Sequence, residues 1–220
     1  MKKTALAALA LLAALALTAC SAATKPATEA PATSKAAGVV TAHQPMLVDE
    51  AAKSITIYAT VNGKYLVEST RHGLNYKDGK NAPKALFISP AKETDFHAAL
   101  LKLGAKPGNN LTVESKGKTV EGQALAVAVT WDGAGKEYDI SEVVIDSTGK
   151  QIDYHFGGNL EAAKQYMTGC MLCLDSCPVG IASNAAHGFG EHDAKQVEFR
   201  GKKDVLPGDG KPVIISVKVK

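Results

Sequence analysis

The chain has 220 residues, with 25 Lys and Arg against 22 Asp and Glu, for a formal net charge of +3. Two of those lysines, Lys2 and Lys3, open the N-terminus, so the rest is nearly neutral and lacks the clustered basic face that nucleic-acid binding needs. One Trp, six Tyr and five Phe are modest for this length, so Val, Ile, Leu and Ala must fill most of any core.

After the basic pair, Ala5 to Leu17 form a short apolar run that ends in Leu17-Thr18-Ala19-Cys20. The run is too short and too alanine-rich for a retained spanning helix, and no second apolar run is long enough to span. It resembles a bacterial lipoprotein signal with Leu-Thr-Ala-Cys as the lipobox. The resemblance implies a signal peptide over residues 1–19, cleavage before Cys20, and lipid on the Cys20 sulfur and amine. Several acyl chains at one residue anchor a domain firmly to a bilayer. Ser21 rather than Asp follows Cys20, which points to the periplasmic face of the outer membrane, with the inner membrane as the alternative. An ordinary secretory signal carrying an incidental Cys is the plainer reading.

Residues 20–37 are rich in Ala, Pro and Thr and carry no large apolar side chain. Such a segment cannot offset its ordering entropy and reads as a tether. Residues 38–220 are of a size to make one domain.

Within that domain, Ser54 to Thr70 alternates, with Ile55, Ile57, Ala59 and Val61 on one face, then Asn62-Gly63, then Tyr65 and Val67. Asn-Gly between alternating runs predicts a hairpin. Lys84 to Ser89 predicts a buried strand. A helix starting near Thr94 follows, with Phe96, Ala99, Leu100 and Leu103 on one stripe and Gly104 just past its end. Glu121 to Thr130 alternates as a strand, Glu137 to Ile145 supplies one or two more, and Gln151 to Phe156 another. Asn159 to Met167 predicts a short helix, with Asn159 as N-cap and Gly169 past its end. Gln196 to Arg200 and Pro212 to Val219 read as closing strands. The sum is an α+β fold, a β-dominated single domain with one or two short helices and a C-terminal Cys-rich loop over 167–180.

That loop holds Cys170, Cys173 and Cys177 in the run Gly169 to Pro178. With Cys20 lipidated, three thiols remain, and three cannot all pair as disulfides within one exported chain. A metal or cluster uses them together, one stays free, or two molecules cross-link.

The run Phe96-His97-Ala-Ala-Leu-Leu-Lys-Leu-Gly-Ala-Lys-Pro-Gly108, set after an apolar strand, resembles the bacterial YdjY-type domain. Trp131 and its neighbours, and the C-terminal half with Gly157-Gly158, add to the likeness, which would cover most of residues 40–220. It implies an exported domain and brings no catalytic residues. Bearers of the cysteine loop resemble ferredoxin-type iron–sulfur proteins. In the bacterial pattern C-x₂-C-x₂-C-x₃-C-P, Cys170-x₂-Cys173-x₃-Cys177-Pro178 matches the last three cysteines and the proline, while Met167 stands where the first would be.

The expectation is an electron carrier of the cell envelope with a 4Fe-4S-like centre on Cys170, Cys173 and Cys177, with His187 or His192 as a candidate further ligand. A Lys-Lys signal lacks the twin arginine of the folded-export route, so a cluster would be loaded outside the cytoplasm. Two alternatives stay open: a zinc or copper(I) site on the same sulfurs, and a disulfide staple with no cofactor in a binding module. The implied partners are the membrane, through Cys20, and an unidentified envelope redox protein, with the domain itself a monomer. No nucleophile elbow, phosphate-binding glycine loop or calcium loop is present, so an enzyme is not expected.

Overall fold

The structure, a computed structural model, describes residues 39–220. The signal, Cys20 and the tether at 20–37 lie outside the described residues. Among those described, no helix is long and apolar enough to cross a membrane.

Alternating sequences make most of the wall. In β2 (Ser54–Val61) every second residue is buried, and the same holds in β5 (Ala124–Thr130) and along most of β12 (Pro212–Val219). These three pair antiparallel in one continuous register, with β12 in the middle. The sheet then runs from β5 through β8 (Tyr154–Phe156), β10 (Ala182–Asn184), β9 (Cys170–Cys173) and β3 (His72–Tyr76) to β4 (Ala85–Ser89). β4 pairs back onto β2 through Thr60–Ile88 and Val61–Phe87. The result is a closed eight-stranded barrel, which leaves its wall no open edge. β1 (Met46–Asp49) extends the sheet beyond β2, and β6 (Tyr138–Asp139) pairs with β5. Outside the barrel, β7 (Val144–Asp146) pairs with β11 (Phe199–Gly201).

The helix α1 (Glu93–Lys102) buries Phe96, Ala99 and Leu100, and Gly104 follows its end at φ 82°, as the stripe predicts. Two shorter helices accompany it. The single turn α2 (Ile140–Val143) interrupts the expected strands, because Asp139 and Glu142 form a capping box there. α3 (Leu160–Tyr166) occupies the expected segment. Asn159 precedes it, but its side chain caps nothing. Instead it donates to the carbonyls of Cys177 and Gly180, 3.1 Å each.

Two expectations are corrected. The Asn62-Gly63 hairpin is absent, since β2 pairs with β1, β4 and β12 and not with residues 64–70, which directly follow Gly63. A 3-10 turn over Gly63–Leu66 buries Tyr65 and Leu66 instead. Gly63 serves close approach rather than positive φ: its N–H donates to Asp209 Oδ1 at 2.7 Å, and a Cβ there would meet Asp209 Cβ at 2.5 Å. The cysteine segment is not wholly a loop either. Cys170 and Cys173 lie on β9, in the barrel wall between β3 and β10, and only Cys177 lies in the turn that follows.

Candidate functional site

Residues i and i+3 of a regular strand point to opposite faces. Cys170 and Cys173 stand three apart on β9, yet their thiols are neighbours. The register explains this. His72 faces Cys173, Leu74 faces Leu172, and Asn75 faces Cys170. One extra residue on β3 (Gly73) is followed by one on β9 (Met171), so each strand bulges once. A bulge inserts one residue and restores the parity, which turns both cysteines, and both His72 and Asn75, toward one point. Gly73 permits the crowding: a Cβ there would lie 2.9 Å from the Leu172 carbonyl and 3.0 Å from the Tyr154 hydroxyl.

Cys170, Cys173 and Cys177 form a separate buried cluster, and none is joined in a disulfide. The Cys170 sulfur is ringed by polar groups. Asn75 Nδ2 lies at 3.2 Å, Asn81 Nδ2 at 3.6 Å and His72 Nδ1 at 3.6 Å. Asn75 Nδ2 also donates to the Thr168 carbonyl, which fixes the orientation of the amide. A hydrogen bond from Cys173, against the opposing effect of burial, holds the Cys170 thiol well below its ordinary range, with His72 and Asn81 adding to it. The donor, Cys173, is pushed well above that range by its hydrogen bonds to Cys170 and Cys177 and by burial. Of this pair, Cys170 is therefore the sulfur that loses its proton first, with Cys173 as the donor that supports it.

The turn after β9 is fixed by polar groups that are themselves buried. Cys177 N–H donates to Ser183 Oγ, Ser176 Oγ accepts from Val120 N–H, and Asn184 Nδ2 donates to the Leu174 carbonyl. Gly180 faces Cys173, whose sulfur would sit 2.6 Å from a Cβ at that position. Arg71 spans the outer side. It pairs with the fully buried Asp175 at 2.9 Å and with the exposed Asp193 at 2.8 Å. Burial raises the Asp175 carboxyl to about 6 although Arg71 opposes the shift. Burial also works against the charge on Arg71, but Asp175 and the thiols of Cys177 and Cys173 together raise its pKa, so it stays a cation. The two partners thus shift in the same direction, and Asp175 is the one that takes up a proton.

A cleft of about 360 Å³ opens beside the site, lined among others by Arg71, His72, Asn81, Lys84 and Cys177. Val113 and Tyr166 are its exposed apolar rim. His187 and His192, the histidines nearest in sequence, are engaged elsewhere. His187 lies buried between Asp146 (2.6 Å) and Glu191 (2.8 Å), and His192 contacts Ser69 and Asp193. Met167 is exposed. The histidine at the sulfurs is His72. It comes from β3, as does Asn75, and their i, i+3 spacing repeats that of the two cysteines opposite. Among the described residues, no group of three or more His, Cys, Asp or Glu side chains is placed to hold a metal ion.

The three cysteines pack against one another in one buried cluster, and the cleft touches only Cys177 of the three.

The YdjY domain model matches residues 46–218. The uncharacterized protein YdjY of Escherichia coli (strain K12) is 43% identical over 178 residues, covering 80% of this chain and 79% of the relative. No solved structure matches. The chain belongs to the YdjY domain family.

Proposed function

We propose that this YdjY-family protein is a redox component tethered to the cell envelope by lipid on Cys20, with Cys170, Cys173 and Cys177 as thiolate ligands of one iron centre. The observation that supports the reading is the packing of three unjoined, buried cysteines into one cluster, with Cys170 and Cys173 brought to it by the bulges in the facing strands. A buried thiolate with amide donors on its sulfur is poorly placed to attack a substrate and well placed to bind metal. Bound iron would supply a one-electron couple.

The protein's part is to set the surroundings of that couple. Asn75 and Asn81 stabilise charge on the Cys170 sulfur, and the Arg71 cation offsets the negative charge gathered by the three sulfurs. Cys177 and His72 border an open cleft, so a centre held at these thiols would lie near the surface. An electron could leave there to a partner docked on the rim of Val113 and Tyr166.

Anaerobic purification of the full-length chain expressed from its own signal tests the reading. The expected outcome is a coloured protein with about one iron per chain, no inorganic sulfide, and a reversible bleach on reduction. Sulfide equal to the iron content would restore the cluster. A colourless protein with one zinc, or a native mass two units low with no metal, would leave a tethered binding module and overturn the redox role.

A further inference from the structure

Three cysteines supply three donors, whereas a tetrahedral ion takes four. We infer that His72 is the fourth, so that Cys170, Cys173, Cys177 and His72 Nδ1 form a site for a single tetrahedral divalent transition-metal ion. The inference rests on the reading of the thiols as metal ligands and adds to it a residue about a hundred positions upstream.

Distance is the first argument. An ion with bonds of about 2.3 Å to sulfur and about 2.05 Å to nitrogen, at tetrahedral angles, sets those two donors about 3.6 Å apart. His72 Nδ1 stands 3.6 Å from Cys170 Sγ. Placement is the second. His72 pairs directly with Cys173 across the β3–β9 ladder, so its ring meets the Cys170 sulfur from the opposite strand. Elimination is the third: both ring nitrogens of His187 hydrogen-bond carboxylates, and His192, whose Nε2 meets Ser69 while its Nδ1 is unpartnered, makes no hydrogen bond to a sulfur, whereas His72 does. Charge is the fourth. Three thiolates leave a divalent ion with one surplus negative charge, and Arg71 lies beside Cys173 and Cys177 to balance it.

As they stand the described side chains form no group that could hold a metal ion, so uptake requires the cysteines to turn inward and to give up to solvent the protons they carry. Metal binding then releases protons, as thiolate sites do.

The test uses Co²⁺ as an optical probe and Zn²⁺ for X-ray absorption, on the reduced full-length chain under anaerobic conditions. The wild type should show intense tetrahedral ligand-field bands with sulfur-to-cobalt charge transfer, and a zinc shell of three sulfurs and one nitrogen. His72→Asn should lose the nitrogen scatterer and bind more weakly by more than about tenfold. His72→Cys should return a tetrahedral spectrum with a fourth sulfur. Thermal melts of the metal-free variants check that each folds. If His72→Asn keeps the three-sulfur, one-nitrogen shell and wild-type affinity, His72 is not the ligand and the inference falls while the thiol site stands. If the wild type takes up neither ion, the metal reading falls with it.

Discussion

Two arcs of one barrel wall bury different things. Across β2, β12 and β5 the register never slips, and the inward positions are Ile55, Ile57, Val213, Ile215, Val217, Val127 and Val129. Across β3 and β9 it slips twice within five residues, and the buried set around it includes Asn75, Asp175, Ser176, Ser183, Asn184 and three thiols. The first arc is a packing solution, in which any side chain of the right volume would serve. The second buries groups that each need a named partner, and several atoms lack one: Asn75 Oδ1, Tyr154 Oη and Asp175 Oδ2 are buried with no hydrogen bond. Closure lets the regular arc offset the stability that the irregular arc gives up.

If that division holds, the largest effect on folding comes from the regular arc and leaves the site alone. Ile57→Ala should destabilise the protein by about 2–5 kcal/mol in urea melts, through lost transfer energy and the cavity left behind. Cobalt uptake per folded molecule should not change. A fall in uptake by the folded fraction would show that the arcs are not separable.

The next effect belongs to the irregular arc and depends on pH. Asp175 is raised from 3.8 to about 6 in the folded protein. The folded state therefore binds more protons than the unfolded chain between those values, and stability falls as pH rises through that window. The loss is on the order of 3 kcal/mol for a group buried this deeply. Denaturation at pH 4 and pH 7 should show this slope in the wild type and a flatter one in Asp175→Asn. A wild type equally stable at both values would mean that Arg71 outweighs burial.

Legibility in the sequence followed the same division. β5, β12 and α1 could be read from local periodicity, because burial on one face imprints period two or 3.6 directly. The three sulfurs were legible as a set from spacing alone. Their partners were not. Arg71, His72, Asn75 and Asn81 lie about a hundred residues upstream, and only the β3–β9 pairing unites them with the cysteines. The nearby His187 and His192 misled because closeness in sequence stood in for closeness in space. Asn62-Gly63 misled for the opposite reason: its glycine answers to Asp209, 146 positions away. The paired spacings His72/Asn75 and Cys170/Cys173 were a usable signal, since two polar i, i+3 pairs in strand-like segments ask for a bulge in each.

The smallest change sharpens the comparison most. Gly180→Ala adds one methyl group where a Cβ would lie 2.6 Å from Cys173 Sγ and 3.5 Å from Cys177 Cβ. Overpacking of this kind costs about 1–3 kcal/mol, less than the cavity at Ile57. The consequence for chemistry should be larger than that figure suggests. Cys173 holds Cys170 in the thiolate form by donating its hydrogen bond, so displacing Cys173 removes the first cause of the low Cys170 pKa. Ultraviolet thiolate absorbance of the metal-free reduced protein, followed against pH, should show a thiol that titrates well below the ordinary cysteine range in the wild type. In Gly180→Ala that titration should move upward, while Ile57→Ala, although less stable, should titrate like the wild type. Identical curves for all three would mean that Asn75, Asn81 and His72 hold the charge without Cys173, and that the irregular arc tolerates crowding as readily as the regular one.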